Sequence, residues 1–244
     1  MKHKDEIDNE LIVKYKPSII GFTETHVTMQ IEDHELYING YVCVRGDSES
    51  SRTGGVLLYI KEEIRFDVIT IEKCDGNWWT IIVRIKDKKY TGIIMIVYHS
   101  PNSKDSKFIN FLEETGINVM QNDDVTIMGD FNIDMSVNNY IRNRLVRVMN
   151  SLGLKQLVKE ATRIVQNSET LIDLVFSNVK MVVEVWYEPK ITDHSAIVVY
   201  WNFEEQIEEN KVIKNRDYKR MDTEKFRELV NIGMDAIVGD NVNV

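Results

Sequence analysis

Runs of β-branched and aromatic residues, bounded by polar turn residues, recur through the first 201 residues and constrain the fold most. They predict β-strands at 18–23, 36–44, 56–60, 66–71, 78–85, 91–98, 125–128, 171–176, 181–186 and 195–201. Apolar residues at helical spacing predict helices at 5–15, 108–119 and 141–152. Because strands far outnumber helices, the pattern predicts an α/β fold with two β-sheets flanked by helices.

The texture of the chain changes after residue 202. Residues 203–221 are dense in charge and lack β periodicity, and apolar residues within 226–237 fit one more amphipathic helix. We therefore expect one domain over residues 1–202, followed by a charged linker and amphipathic helix over residues 203–244.

The overall charge limits the function classes. The 244 residues carry a formal net charge of -9 at pH 7, which argues against a protein held to nucleic acid by bulk positive charge. An enzyme whose acidic cluster binds a divalent cation is compatible with that charge. The longest apolar runs fall short of the roughly 18 residues of a membrane helix, so no membrane partner is expected. Two cysteines, Cys43 and Cys74, form no disulfide framework and suit an intracellular compartment.

Acidic and amide residues lie where predicted strands begin or end. Glu24 follows the strand at 18–23, Asp130 and Asn132 follow the strand at 125–128, and Asp193 and His194 precede the strand at 195–201. Catalytic and ligand-binding residues gather at such positions, and converging carboxylates suit Mg²⁺. Taken one at a time, each also fits a solvated side chain or an ordinary turn.

Two further residues are unusual in their surroundings. Asp173 lies inside the apolar run Leu-Ile-Asp-Leu-Val-Phe at 171–176, and a buried aspartate needs a partner, which a histidine would supply. Tyr98 ends an apolar strand, where an aromatic at a sheet edge is the commoner interpretation.

The order of the motifs is more specific than any one of them. The motifs are Thr-Glu-Thr-His at 23–26, Arg-Thr-Gly-Gly-Val at 52–56, Tyr-His-Ser-Pro-Asn at 98–102, Gly-Asp-Phe-Asn at 129–132, Leu-Ile-Asp-Leu-Val-Phe at 171–176 and Thr-Asp-His-Ser at 192–195. In this order they resemble the endonuclease/exonuclease/phosphatase superfamily. Within it, the chain is most similar to the apurinic-endonuclease-like domain that precedes reverse transcriptase in non-LTR (LINE or jockey-type) retrotransposons.

The resemblance implies a four-layer α/β/β/α sandwich of two mixed β-sheets flanked by helices, the DNase I-like fold. Members of the family begin with a strand that carries an asparagine, whereas Met1 lies almost at the helix that follows it. We therefore expect the first strand to be missing and the chain to be N-terminally truncated. We also expect residues 203–244 to lead toward a reverse transcriptase domain that is present in the full-length element and absent here.

The resemblance also implies a cofactor, Mg²⁺ or Mn²⁺, and residues that serve it. Glu24 matches the metal-binding glutamate of the family. Asp193 matches the aspartate of the Asp-His pair, which helps the metal or the leaving group. Asp130 matches the aspartate that orients or deprotonates the attacking water.

Four more residues match positions that handle the phosphate. Asn132 matches the amide that holds the phosphate and orients the catalytic aspartate, and His194 matches the histidine on a phosphoryl oxygen. Asp173 matches the carboxylate that pairs with that histidine, where its charge raises the imidazole pKa. Tyr98 matches the tyrosine that contacts the scissile phosphate.

We therefore expect a Mg²⁺-dependent phosphodiesterase, a DNA endonuclease that nicks duplex target DNA for retrotransposition and acts in the nucleus. Two alternatives stay open. One is a phosphoesterase of the same superfamily that acts on RNA or on a lipid or inositol phosphate. The other is a truncated, catalytically inactive remnant or binding module.

Overall fold

The chain divides into two units, Met1–Glu204 and Glu205–Val244, and all described residues but one lie in the first. The structure is a computed structural model that describes residues 8–201 except 75, 89, 120–122 and 167, together with residue 224. The linker and amphipathic helix predicted for residues 203–244 lie outside these residues, apart from that single position.

Strands dominate the described residues, as the sequence predicts. They are β1 (Ile19–Thr23), β2 (Tyr41–Gly46), β3 (Val56–Lys61), β4 (Phe66–Cys74), β5 (Trp78–Lys86), β6 (Thr91–His99), β7 (Val125–Asp130), β8 (Lys155–Gln156), β9 (Arg163–Val165), β10 (Ser168–Thr170), β11 (Asp173–Ser177), β12 (Met181–Trp186) and β13 (Ala196–Trp201). A π-helical turn (Asp8–Ile12) runs into α1 (Val13–Tyr15), and the other helices are α2 (Asp33–Leu36), α3 (Asp105–Val119) and α4 (Tyr140–Ser151).

A six-stranded sheet in the order β4-β5-β6-β7-β11-β8 forms the centre of the fold. The sheet is mixed, because β6 and β7 run parallel while β7 and β11 run antiparallel. Strand β7 therefore lies inside the sheet, with a hydrogen-bonded neighbour on each side. Its last residue is Asp130, so this predicted site residue lies at the end of an interior strand of the sheet.

Helices cover one face of this sheet and a second sheet covers the other. Apolar residues of α3 and α4 pack on the first face, among them Phe108, Leu112 and Leu145. On the opposite face, Leu58 of the three-stranded sheet β1-β3-β2 packs against Ile96 of β6. Burying both faces of the central sheet supplies the main stabilising term of the fold.

Strand β3 connects the second sheet to the outermost layer. Its side chains alternate, so Leu58 points to the central sheet while Leu57 and Tyr59 point outward. There they contact Ile12 beside α1 and Leu36 of α2. The layers run helix, sheet, sheet, helix, and the predicted α/β, DNase I-like sandwich is confirmed.

The sheets differ in detail from the two mixed sheets that we predicted. The second sheet is antiparallel and has three strands, while β12 and β13 form a separate antiparallel pair and β9 and β10 another. Within the described residues, β1 and β13 share no backbone ladder. The central sheet is thus the one mixed sheet in the described part of the chain.

Local signals explain the errors in element bounds. The strand predicted at 36–44 begins only at Tyr41. A reciprocal capping box of Glu32 and Glu35 starts helix α2, which extends to Leu36, and the chain then turns at Gly40 with a φ of +81°. Strands β8, β9 and β10 have two or three residues each, too short to produce an alternating pattern. In the described part of the chain, no helix has the length and hydrophobicity of a membrane span.

Gly129 offers a test of how tightly β7 is held. A Cβ at this position would lie 1.9 Å from the backbone oxygen of Val97 in β6, and its φ is +141°. At Gly76, where φ is +70°, a Cβ meets nothing within 4 Å. We expect Gly76→Ala to cost about 1–2 kcal/mol of unfolding free energy from its φ alone. Gly129→Ala should cost several kcal/mol more, because backbone must move.

Urea denaturation of both variants and the wild type measures this difference. Equal losses for the two variants would contradict the close approach of β6 and β7 at Gly129.

Candidate active site

Strand register brings three of the predicted site residues into one row. Asp130 of β7 pairs with Tyr98 of parallel β6 on one side and with Asp173 of antiparallel β11 on the other. Paired residues on adjacent strands point to the same face of a sheet. The row Tyr98–Asp130–Asp173 therefore crosses the end of the central sheet on one face. Tyr98 shows which face, because it packs in the core between the two sheets.

His194 extends this row through Asp173. The two side chains meet at 2.9 Å between Nδ1 of His194 and Oδ2 of Asp173. Burial alone would lower the pKa of His194, but the hydrogen bond to Asp173 and the charges of Asp173, Asp130 and Asp193 raise the pKa to about 9. His194 is therefore an imidazolium at neutral pH, with its charge held by Asp173.

Asp130 has the opposite electrostatic character. It is 2% exposed. Burial and the nearby charge of Asp173 raise the pKa of Asp130 to about 7, although His194 and the backbone N–H of Asn132 act in the other direction. A carboxyl with a pKa near 7 can accept a proton at neutral pH, which is what a general base requires.

Asn132 holds the Asp130 carboxylate at both oxygens. Its backbone N–H donates to Oδ1 at 2.9 Å, and its side-chain Nδ2 donates to Oδ2 at 3.0 Å. The same Nδ2 also donates to the backbone oxygen of His99 at 2.7 Å. Both amide hydrogens are thus engaged in the structure. These contacts suit the predicted orienting role, and the predicted donation to a phosphate stays a prediction.

Glu24 lies in the turn that follows a strand of the second sheet. It follows β1 with a φ of +51°, and the turn is held by hydrogen bonds from Thr25 N to Gly55 O and from His26 N to Gly54 O. Burial and then the charges of Glu24 and Asp130 raise the pKa of the Tyr98 phenol. Tyr98 consequently stays protonated.

Asp193 has a partner that the sequence analysis missed. Its Oδ2 accepts a hydrogen bond from Nε of Arg163 at 2.7 Å. Although burial raises the pKa of Asp193, the guanidinium lowers it below the ordinary value. The hydrogen bond to Asp193 raises the pKa of Arg163, and the charges of Asp130 and Glu24 act in the same direction. The predicted metal contact of Asp193 stays a prediction.

Thr162 is a second missed residue. Its buried hydroxyl accepts hydrogen bonds from the backbone N–H groups of Ile172 and Asp173, and its backbone oxygen accepts one from Ser195 at 2.7 Å. It therefore joins the segments that carry Asp173 and His194. The sequence gives no local signal for either Thr162 or Arg163, because their partners lie 10 to 33 positions away.

Comparisons with known proteins show similarity in family and in fold. Residues 93–198 match the family model described as endonuclease-reverse transcriptase. None of the curated proteins matches the chain in sequence. The second half of the domain is therefore similar to the endonuclease-reverse transcriptase family.

Three solved structures have a similar fold. The endonuclease domain of TRAS1, a telomere-specific non-LTR retrotransposon, superposes with a TM-score of 0.67 at 13% identity, over 83% of this chain and 93% of that one. A 3'-5' exonuclease (NExo) from Neisseria meningitidis gives a TM-score of 0.61 at 14% identity, over 82% and 94%. A mannosyl-6-phosphatase of Bacteroides thetaiotaomicron gives 0.53 at 14%, over 82% and 94%.

The carboxylates of this site fit a hard divalent cation. Ligand atoms of Asp130, Asp173 and His194 lie within 4.8 Å of one another. Because His194 is an imidazolium, the carboxylates and not this ring would hold the cation. Burial first, and then repulsion between the ionised carboxylates of Asp130 and Asp173, raises the pKa of Asp130. A cation would offset that repulsion, and carboxylate oxygens are ligands that Mg²⁺ and Mn²⁺ accept.

The pairing of Asp173 with His194 can be tested by titration. In metal-free protein we expect the His194 imidazole to titrate near pH 9. In Asp173→Asn the pKa of His194 should fall well below that value, because burial still opposes ionisation and the hydrogen bond and charge of Asp173 are lost, while the charges of Asp130 and Asp193 remain. NMR of the histidine rings, with the His194 signal assigned from His194→Gln, measures both values.

Asp67→Asn is the matched control, because Asp67 lies on β4 and pairs with Lys86. An unchanged His194 pKa in Asp173→Asn would show that the charge of Asp173 does not hold the imidazolium.

Proposed function

We propose that this protein is a Mg²⁺-dependent phosphodiesterase that nicks duplex DNA. The observation that carries the proposal is the row formed by Asp130 and Asp173, with His194 bonded to Asp173. It places a carboxyl with a pKa near 7 beside an imidazolium, and the two have complementary roles in hydrolysis.

Asp130 acts first in the proposed reaction. Held by Asn132, its carboxylate orients a water molecule and accepts its proton as the water oxygen forms a bond to phosphorus. The bond to the leaving oxygen breaks on the opposite side. Asn132 fixes the direction of the carboxylate lone pairs, so its contribution is orientation rather than charge.

His194 opposes the negative charge that the attack develops. Its imidazolium donates to a non-bridging phosphoryl oxygen, and Asp173 keeps it protonated through the 2.9 Å hydrogen bond. Tyr98, which stays protonated, supplies a second donor on the other side of Asp130. A metal held by Glu24, with Asp193 and the central carboxylates nearby, would add Lewis-acid stabilisation of the same charge.

The family match supports DNA as the substrate. The matched model is described as endonuclease-reverse transcriptase, and one similar structure is the endonuclease domain of a retrotransposon. On this basis the partner is duplex target DNA, the site of action is the nucleus, and the full-length element supplies a reverse transcriptase. The net charge of -9 favours binding through a cation and a few local donors rather than through a basic surface.

A phosphomonoesterase is the second candidate. It is favoured by the similarity to a mannosyl-6-phosphatase, whose coverage of this chain equals that of the exonuclease. The row of Tyr98, Asp130 and Asp173 fits attack on either class of phosphate, so substrate comparison must separate the two.

Nicking of supercoiled plasmid tests the proposal. We expect the purified chain to nick the plasmid in the presence of Mg²⁺, and we expect EDTA to abolish the nicking. His194→Ala should slow nicking by about 10²–10⁴-fold, the usual contribution of a positioned proton donor. His34→Ala is the matched control, because His34 is an exposed histidine on α2 that pairs with Glu32. It should nick at the wild-type rate.

Parallel assays on an RNA duplex, inositol phosphates and mannose 6-phosphate separate the alternatives. Faster hydrolysis of a phosphomonoester than of plasmid would overturn the nuclease proposal. A folded protein with no metal-dependent activity on any of these substrates would indicate the inactive binding module.

A further inference from the structure

His99 lies next to the active site but on the other side of the sheet. It is the last residue of β6, directly after Tyr98, so its side chain points away from the row and toward helix α3. Its ring is 0% exposed and stacks on Phe108 with the centroids 4.2 Å apart and the planes 8° apart. His99 therefore cannot touch a substrate bound at Asp130.

Two hydrogen bonds fix the tautomer of this ring. Nδ1 lies 2.8 Å from the backbone oxygen of Phe131, and because a carbonyl only accepts, Nδ1 carries the hydrogen. Nε2 then accepts from the hydroxyl of Ser103. Burial lowers the pKa of His99, although Phe131 and Asp105, 4.0 Å away, act in the opposite sense. The ring is thus neutral in the arrangement that these partners require.

His99 forms hydrogen bonds with both residues that follow Asp130. Its side chain holds the carbonyl of Phe131, and its own backbone oxygen accepts the 2.7 Å bond from Asn132 Nδ2. Asn132 has a φ of +46°, a left-handed conformation that needs support from its surroundings. Asn132 in turn bonds both oxygens of Asp130. A continuous chain of contacts therefore runs from the His99 ring to the carboxylate.

We propose that His99 is a positioning residue that fixes the direction of the Asp130 carboxylate through the turn formed by Phe131 and Asn132. Its neutral ring with the hydrogen on Nδ1 clamps the turn from the helix side of the sheet. This role rests on the function proposed above, and it concerns how Asp130 is aimed rather than which substrate is cleaved.

Two substitutions of His99 distinguish a role in positioning the turn from a role in core packing. In His99→Asn the side-chain nitrogen occupies the place of Nδ1 and can still donate to Phe131. In His99→Gln the amide reaches the place of Nε2 and loses that donor. We expect His99→Gln to lower kcat by about 10²-fold with little change in KM, the cost of a misplaced catalytic group. His99→Asn should stay within about fivefold of the wild type, since it keeps the donor at Nδ1.

Ile109→Ala supplies the stability-matched control. Ile109 is a buried α3 residue in the same core as Phe108, with no bond to the turn. Its rate per folded molecule should equal that of the wild type. If both His99 variants lose kcat in step with their loss of folded protein, as this control does, His99 is a packing residue and the proposal is wrong.

A measurement that does not depend on enzyme activity separates the His99 proposal from the proposed function. In ¹⁵N NMR of metal-free protein, we expect the His99 ring to show a protonated Nδ1 and the Asn132 side-chain amide to be protected from hydrogen exchange. His99→Gln should abolish that protection and His99→Asn should keep it. A ring protonated at Nε2, or equal protection in both variants, would overturn the clamp. If the clamp signals are present and no substrate is cleaved, the proposed function fails instead.

Discussion

The register of β7 between its two neighbours is the constraint on which the rest of the site depends. It pairs Asp130 with Tyr98 on one side and Asp173 on the other, so three polar side chains from distant segments share one face. Gly129 permits the close approach to β6, because any Cβ there would meet the backbone oxygen of Val97. If the register of β7 shifted by one residue, the Asp130 side chain would point toward the helices and would no longer lie beside Tyr98 and Asp173.

That register also sets the electrostatics. Asp130 and Asp173 are adjacent carboxyls at a buried sheet end, and the protein resolves their repulsion in two ways. Asp173 pairs with His194, and Asp130 acquires a pKa of about 7. Burial and then the charge of Asp173 make Asp130 a weak acid, and Asp173 also keeps His194 an imidazolium against the effect of its burial. One geometric arrangement therefore produces a proton acceptor and a cationic donor, which a generally acidic chain needs for phosphate chemistry.

The sequence predicts the layers and the residues at strand ends, because both leave local patterns. Asp130 and Asp173 could be singled out since each interrupts or ends an apolar run. Helix α2 was missed because a capping box between Glu32 and Glu35 outweighed the apolar residues around it.

Long-range partners left no such pattern. Arg163 meets Asp193 across 30 positions, and His99 reaches Phe131 across 32. These contacts depend on strand register and on turns such as that at Asn132, which one sequence does not display. The residues that hold the chemistry in place were therefore harder to find than the residues that carry it.

A double-mutant cycle on nicking rate tests the central claim most directly, namely that the row acts as one hydrolytic unit. Asp173 is proposed to work through His194, so Asp173→Asn and His194→Gln should be strongly non-additive. The account predicts that the double variant is no slower than His194→Gln alone. Independent losses that multiply in the double variant would contradict it.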